Sequence, residues 1–283
     1  MKTPIEQVAS SLSMYYEGMS LNAIRRHLNQ MHRNYPSDST VYEWITRFSK
    51  QAIEDATEYR PRVGDVWVAD ETVIKLDGQN VWFWDLIDSK TRFLLASHIS
   101  KRRTIADAQL LMKKAQFKAG KIPKAILTDR LAAYFDGIER AWGGDTKHIA
   151  SKGFRIQPNT NLIERFHGTL KARTKVMRGL KDIKSARLIM SGWLIHYNYF
   201  RPHESIDYLT PSQKAGIISK TRNWLDVVKS SHSPKKEQII APKITGERMP
   251  GITRRPPRIS RRNVRLSNPR RIKITPKLAS LRH

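Results

Sequence analysis

The sequence contains no cysteine among its 283 residues. Disulfides, cysteine-based zinc sites and thiol nucleophiles are therefore excluded. Acidic residues are scarce: 25 Asp and Glu stand against 52 Lys and Arg, a formal charge of +27. Such self-repulsion is usually tolerated when the partner is a polyanion. A merely basic or ribosome-associated protein would show the same balance, so charge alone narrows the partner to nucleic acid or an anionic surface. Long apolar runs are missing, and no stretch approaches the roughly 18 residues of a membrane span. The opening residues MKTPIEQVASSLSMYYEG lack the apolar stretch of a secretory signal. Neither GxxxxGK[ST] nor HExxH occurs, so neither a nucleotide cofactor nor a zinc hydrolase is expected.

What is present divides into segments of different character. Residues 231–283 hold seven of the fourteen prolines and no aromatic residue. Fifteen Lys and Arg against two Glu give this tail +13, and it lacks the apolar mass for a core. Residues 1–50 read as three short helices. The first spans Ile5 to Glu17 and stops at Gly18. Ser20 can cap the second, which lines up Leu21, Ile24, Leu28 and Met31. The third turns Val41, Trp44, Ile45 and Phe48 inward and leaves Arg47 and Lys50 outward. A turn before a basic third helix is the helix-turn-helix arrangement, though a three-helix bundle used for protein contacts has the same pattern. Residues 51–64 read as a linker.

Residues 65–230 alternate strand and helix patterns. VGDVWVADET is an apolar strand closing on an acid, and VIKLDGQNVWFWDLID reads as a hairpin around Asp77-Gly78. TRFLLASHIS, AILTD and TKHIA complete five strands. Helices are expected over TIADAQLLMKKAQFKAG, LAAYFDGIERAW, Asn161 to Met177 and Ile183 to Tyr199. Antiparallel-type strands followed by strand–helix units predict an α/β fold, a mixed five-stranded sheet flanked by helices.

Three acids stand out: Asp70, Asp129 and Glu164. Each has an ordinary explanation alone. Asp70 fits an exposed strand end, Asp129 a helix cap, and Glu164 a capping box with Asn161. Together they say more. If the two strands are neighbours, their ends bring the carboxylates together with an acid in the first turn of a helix. Converging carboxylates repel unless cations neutralise them. Mg²⁺ suits such an oxygen-only site, and a pair of ions about 4 Å apart can serve an in-line phosphoryl displacement. His167 lies three residues beyond Glu164. Lys171 lies nearly two turns beyond it on the same face, about 10 Å along the helix. Glu71, Asp85, Asp88 and Asp136 are nearby acids of lower rank: Glu71 falls on the opposite strand face from Asp70, and Asp85 and Asp88 are expected to edge the second strand.

These residues carry a resemblance. WVADETVIK at 67–75, LTD at 127–129, NLIERFHGTLKARTK at 161–175 and YNYFRPH at 197–203, followed by Thr210-Pro211, resemble the DDE transposases of the IS6 insertion-sequence family, IS240-like and archaeal members included. The 34 residues between Asp129 and Glu164 match the family's spacing, and the resemblance spans roughly residues 13–215. It implies an RNase H-like, integrase-like core in which Asp70, Asp129 and Glu164 are catalytic and bind Mg²⁺ or Mn²⁺, with two ions expected. It implies DNA contacts by Lys171, His167, Arg165, Arg47, Lys50 and Arg201, with Asn198, Pro202 and His203 as scaffold or DNA contacts.

The expected activity is cleavage at terminal inverted repeats and 3′-OH strand transfer into target DNA. The expected setting is a homodimer or higher synaptic complex in a prokaryotic cytoplasm. A hydrolytic nuclease could use the same acids. A transposase-derived regulator without strand-transfer activity is the non-enzymatic alternative. The basic tail fits a target-DNA arm, a lineage addition or a shifted reading frame.

Overall fold

The computed structural model describes residues 3–150, 161–176 and 182–231. The basic tail anticipated over 231–283 lies, beyond its first residue, outside the described residues.

Three strands run antiparallel: β1 (Val66–Leu76), β2 (Gln79–Asp88) and β3 (Leu94–Ser100). The first turn is Asp77-Gly78, both at positive φ (48° and 74°), as a tight hairpin of right-twisted strands requires. Helix α4 (Ile105–Ala119) then leads to β4 (Ala125–Thr128), and α5 (Ala132–Trp142) leads to β5 (Lys147–Ala150). Both last strands are parallel to their neighbours, and the sheet order is β3-β2-β1-β4-β5. This is the predicted mixed five-stranded, RNase H-like sheet.

Alternation along the strands assigns each face of the sheet a separate core. Trp67, Ala69, Trp84, Leu86 and Ile126 face α4 and α5. Val68, Ile74, Phe83, Ile87 and Leu127 face the other side. There they meet α6 (Asn161–Val176) through Ile163, Phe166 and Leu170, and α7 (Ile183–Ile195) through Met190 and Trp193. Burying each such aliphatic or Phe side chain contributes about 1.5–3 kcal/mol before chain entropy is counted.

The N-terminal helices α1 (Ile5–Glu17), α2 (Leu21–His32) and α3 (Asp38–Thr57) belong to that second core. Ser20 caps α2 as expected, and Ser37 caps α3. α3 does not stop near residue 50: Ala52 and Ala56 stay buried, so the helix continues through half of the expected linker. Gly192 of α7 lets α1 and α3 approach closely, since a Cβ there would fall onto the Tyr16 and Ser49 hydroxyls. Tyr16 and Ser49 hydrogen-bond to each other at 2.6 Å.

A π-helical turn over His196–Phe200 extends α7. It places Asn198 against β3, where its amide accepts from Leu94 N–H at 2.9 Å and donates to Leu94 C=O at 3.0 Å. Asn198 thus acts as scaffold, imitating a strand partner. His196 accepts from Trp224 Nε1 at 3.1 Å and faces Glu17 Oε1 at 2.8 Å through Nε2. Two short helices, α8 (Pro211–Lys214) and α9 (Trp224–Ser230), close the described chain. No helix among the described residues is long and apolar enough to cross a membrane.

Candidate active site

Asp70 does not end its strand. β1 runs on to Leu76 because its hairpin with β2 continues the pairing. What ends is the parallel neighbour. β4 pairs with β1 through Val66–Ala125, Trp67–Ile126 and Val68–Leu127 and stops at Thr128. Asp70 and Asp129 each lie two residues beyond the last of these pairs, so the same register sets them side by side. The carboxylates of Asp70, Glu71 and Asp129 offer oxygens within 4.8 Å of one another.

Glu71 enters this group from the other face of β1, the side of α5. Its Oε1 accepts from Arg103 Nη1 at 3.1 Å and its Oε2 from the Tyr134 hydroxyl at 3.0 Å. Arg103 also lies 4.0 Å above the Trp82 ring, which braces it. Alternation correctly separates Glu71 from Asp70 in direction, but a long side chain at the sheet's end still reaches the common cluster. Burial, then the charge of Asp129, raises the Glu71 pKa. Asp129 Oδ1 accepts from Leu131 N–H at 2.9 Å, so it holds the start of α5 while remaining in the cluster.

Beneath Asp70 lies a buried pair that its sequence neighbours do not reveal. Asp85 stands directly opposite Asp70 in the β1–β2 register and is fully buried, as is Asp88. Asp88 closes β2 as expected, whereas Asp85 lies within the strand, and β2 is paired on both sides, to β3 and to β1. Asp88 is structural: it accepts from Gly64 N–H at 3.0 Å, Thr91 N–H at 2.8 Å and the Thr91 hydroxyl at 2.6 Å. Asp85 Oδ2 instead meets His167 Nε2 at 2.7 Å, while His167 Nδ1 lies 3.6 Å from Asp70 Oδ2. Asp85 Oδ1 is buried without a hydrogen bond.

The electrostatics follow from this crowding. Burial raises the Asp70 carboxyl to about 7; His167 opposes the shift and Asp85 adds to it. Burial also raises Asp85. For His167 burial alone would depress the imidazole, but the charges of Asp85 and Asp70 outweigh it and raise its pKa.

His167, expected at DNA, is 6% exposed and turned inward to Asp70 and Asp85. Glu164 sits one turn before it, exposed in the first turn of α6, and is not a member of the Asp70–Glu71–Asp129 group. Lys171 and Arg165 are exposed on α6, and Arg201 is half-buried after the π turn. Arg47 and Lys50 are exposed on α3. Asp136 is exposed on α5. A set of hard carboxylate oxygens, with one carboxyl pushed toward its neutral form by burial, fits a divalent cation.

Residues 64–203 match the family model described as a DDE domain, that of the IS240 transposases. No curated protein matches the chain. Among solved structures, the chain is similar to the HTLV-2 integrase catalytic core domain in complex with magnesium. The trimeric form is 18% identical, with 55% of this chain and 99% of that chain covered and a TM-score of 0.44. The dimeric form is 18% identical, covering 55% and 97%, with a TM-score of 0.43. A simian T-cell lymphotropic virus intasome in complex with PP2A regulatory subunit B56 gamma is 15% identical, covering 88% and 80%, with a TM-score of 0.41.

Proposed function

From a chain whose residues 64–203 are a transposase-type DDE domain, we propose a transposase of the IS6 type that cuts DNA at the terminal inverted repeats of an insertion sequence and joins the freed 3′ ends to target DNA. The observation that carries this reading is the register that sets Asp70 of β1 beside Asp129, the residue after parallel β4, with α6 packed behind Asp70 through His167.

Asp70 and Asp129 would hold divalent metal, Mg²⁺ or Mn²⁺, with Glu164 joining from the first turn of α6. When bound, a pair of such ions would neutralise charge on the attacking and leaving oxygens of a phosphodiester displacement. The chain's own residues do the positioning. Asp85 anchors His167, and His167 limits the rotation of Asp70. Arg103 and Tyr134 occupy both oxygens of Glu71, which makes Glu71 a brace for the cluster rather than its third ligand. Lys171, two turns beyond Glu164 on the same face, presents a charge to a DNA phosphate.

In the first step water attacks a phosphodiester and the 3′ oxygen leaves with a proton. In the second, that 3′-OH attacks a target phosphodiester, and one bond forms as another breaks, so no ATP is required. The helix-turn-helix of α1–α3, with Arg47 and Lys50 outward, would recognise the repeats. Two ends must be processed together, so a homodimer or higher synaptic complex is the working form, acting in a prokaryotic cytoplasm. The test is Asp129→Asn in a mini-element assay. The variant should bind end DNA normally and lose both cleavage and joining; retained cleavage rejects the assignment.

A further inference from the structure

A second polar centre lies on the opposite flank of α6. That helix buries Ile163, Phe166 and Leu170 as one stripe. Glu164, His167 and Lys171 flank the stripe on the side of the carboxylates. Arg165, Thr169 and Arg173 flank it on the other, where they line a cavity of about 510 Å³ with Tyr16 and Glu17 of α1, Trp193 of α7, and Arg201. Gly168 also lines it, and a Cβ there would meet nothing within 4 Å, so the cavity is open at that point.

Arg173 is the anomaly. It is 2% exposed, and none of its three guanidinium nitrogens makes a hydrogen bond to the described residues. One face of the guanidinium lies 3.8 Å above the Tyr15 ring, which compensates part of the lost hydration. The Tyr15 hydroxyl lies close enough to act electrostatically on the guanidinium but not in hydrogen-bonding geometry, so the N–H edge has no anion among the described residues. Burying a cation without a partner is strongly unfavourable, and such a group is normally paired with an anion or given up. Burial accordingly lowers the Arg173 pKa. Among the described residues, Glu17 is the one carboxylate lining the cavity, and His196 Nε2 meets it at 2.8 Å. Three arginines from two segments thus converge on one cavity that holds a single ionised acid, Glu17, whose carboxyl the His196 hydrogen bond and the charge of Arg201 keep below its ordinary range.

We infer that the Arg165–Arg173–Arg201 cavity is a binding site for a phosphodiester of the DNA backbone, with the buried Arg173 supplying a planar fork of donors and the two outer arginines closing around the phosphate. This rests on the reading of DNA as the substrate and extends it to a site apart from the acidic cluster. Guanidinium matches a phosphate through paired N–H donors, which a lysine at this depth would not reproduce. Because α6 carries Glu164 on one flank and this cavity on the other, a strand held here is indexed directly to the helix that bears the acid. The cavity also takes lining from α1, so the phosphate would tie the N-terminal helices to the catalytic sheet.

The full-length protein in EDTA tests this without any catalytic readout. Inorganic phosphate, at fixed ionic strength against chloride, should raise the unfolding midpoint of the unaltered protein. Arg173→Met should abolish that rise. The same variant should weaken binding to a labelled random-sequence duplex, with the slope of log affinity against log salt smaller by about 0.9, the value for one phosphate. Arg173→Lys should fall between the two. An unchanged phosphate response with an unchanged slope overturns the proposal. A lost phosphate response with an unchanged DNA slope assigns the cavity to a free anion and overturns the backbone assignment. Should Arg173→Met fail to fold, Arg173→Lys and the outer variant Arg201→Gln decide by the same two readouts. An Asp129→Asn protein that still joined strands would reject the transposase reading while leaving these binding results untouched.

Discussion

Replacing His167 with leucine should expose how much the buried pair beneath Asp70 depends on its imidazole. Asp85 is fully buried, and its hydrogen bond is to His167 at 2.7 Å. Leucine fills similar space but offers no proton. The folded variant must then keep Asp85 neutral, whereas the unfolded chain releases that proton near its ordinary value of 3.8. Each unit by which burial raises that carboxyl above 3.8 costs the variant about 1.4 kcal/mol at neutral pH. The folded state then holds a proton that the unfolded state lacks, so stability falls as pH rises. The loss should therefore shrink, by at most about 1.4 kcal/mol per unit, as pH is lowered toward about 4. Asp70, deprived of the same imidazole, shifts in the same direction. Adding Asp85→Val removes the stranded carboxyl and should recover most of the loss, since buried ion pairs are commonly replaceable by apolar side chains. Urea unfolding followed by tryptophan fluorescence, in EDTA between about pH 5 and pH 7, measures all of this. A loss independent of pH, or a double variant as unstable as the single one, refutes the reasoning.

Glu164→Gln and Glu71→Gln separate ligand from brace. The first should reduce strand joining by well over a hundredfold and the second by about tenfold, the scale for residues that orient a ligand; the reverse order would make Glu71 the third ligand. Because Asp70 is held near 7 by burial, Mg²⁺ binding should release a proton below that pH, and its affinity should rise up to about tenfold per unit until about pH 7. Calorimetry in buffers of different ionisation enthalpy detects the proton, and its absence at acidic pH counts against Asp70 as a ligand. The metal-free protein should lose stability between pH 3.8 and about 7 for the same reason: the folded state retains a proton the unfolded one gives up. Gly192→Ala should cost about 1–3 kcal/mol in urea unfolding, since α7 must back away from Tyr16 and Ser49; a neutral substitution would show that these helices are not tightly seated.

Much of the architecture is written locally. The start of α2 at Ser20 was legible because its side chain caps its own backbone, and the structure shows Ser37 and Thr104 capping α3 and α4 in the same way. The Asp77-Gly78 turn and the apolar runs of the strands are equally local, so five strands were legible without tertiary information. The end of α3 was not, because Ala52 and Ala56 look like any helix or linker residues until something buries them. Nor did the hairpin pattern reveal that β1 carries Asp70 in its interior: the acid interrupts an apolar run, and only pairing with β2 shows that the strand continues.

The residue types, their caps and their alternation determined which elements form and which acids end up on strands and on a helix start. The folded arrangement alone decided which charges meet. Asp85 and His167 are 82 residues apart, and Glu71 reaches the cluster from the far face of β1. Arg173 is buried only because α1, α6 and α7 close around it. Local rules act over a few residues of chain, whereas the cost of a buried charge depends on what every other segment brings within a few ångströms, and no spacing along the chain encodes that distance.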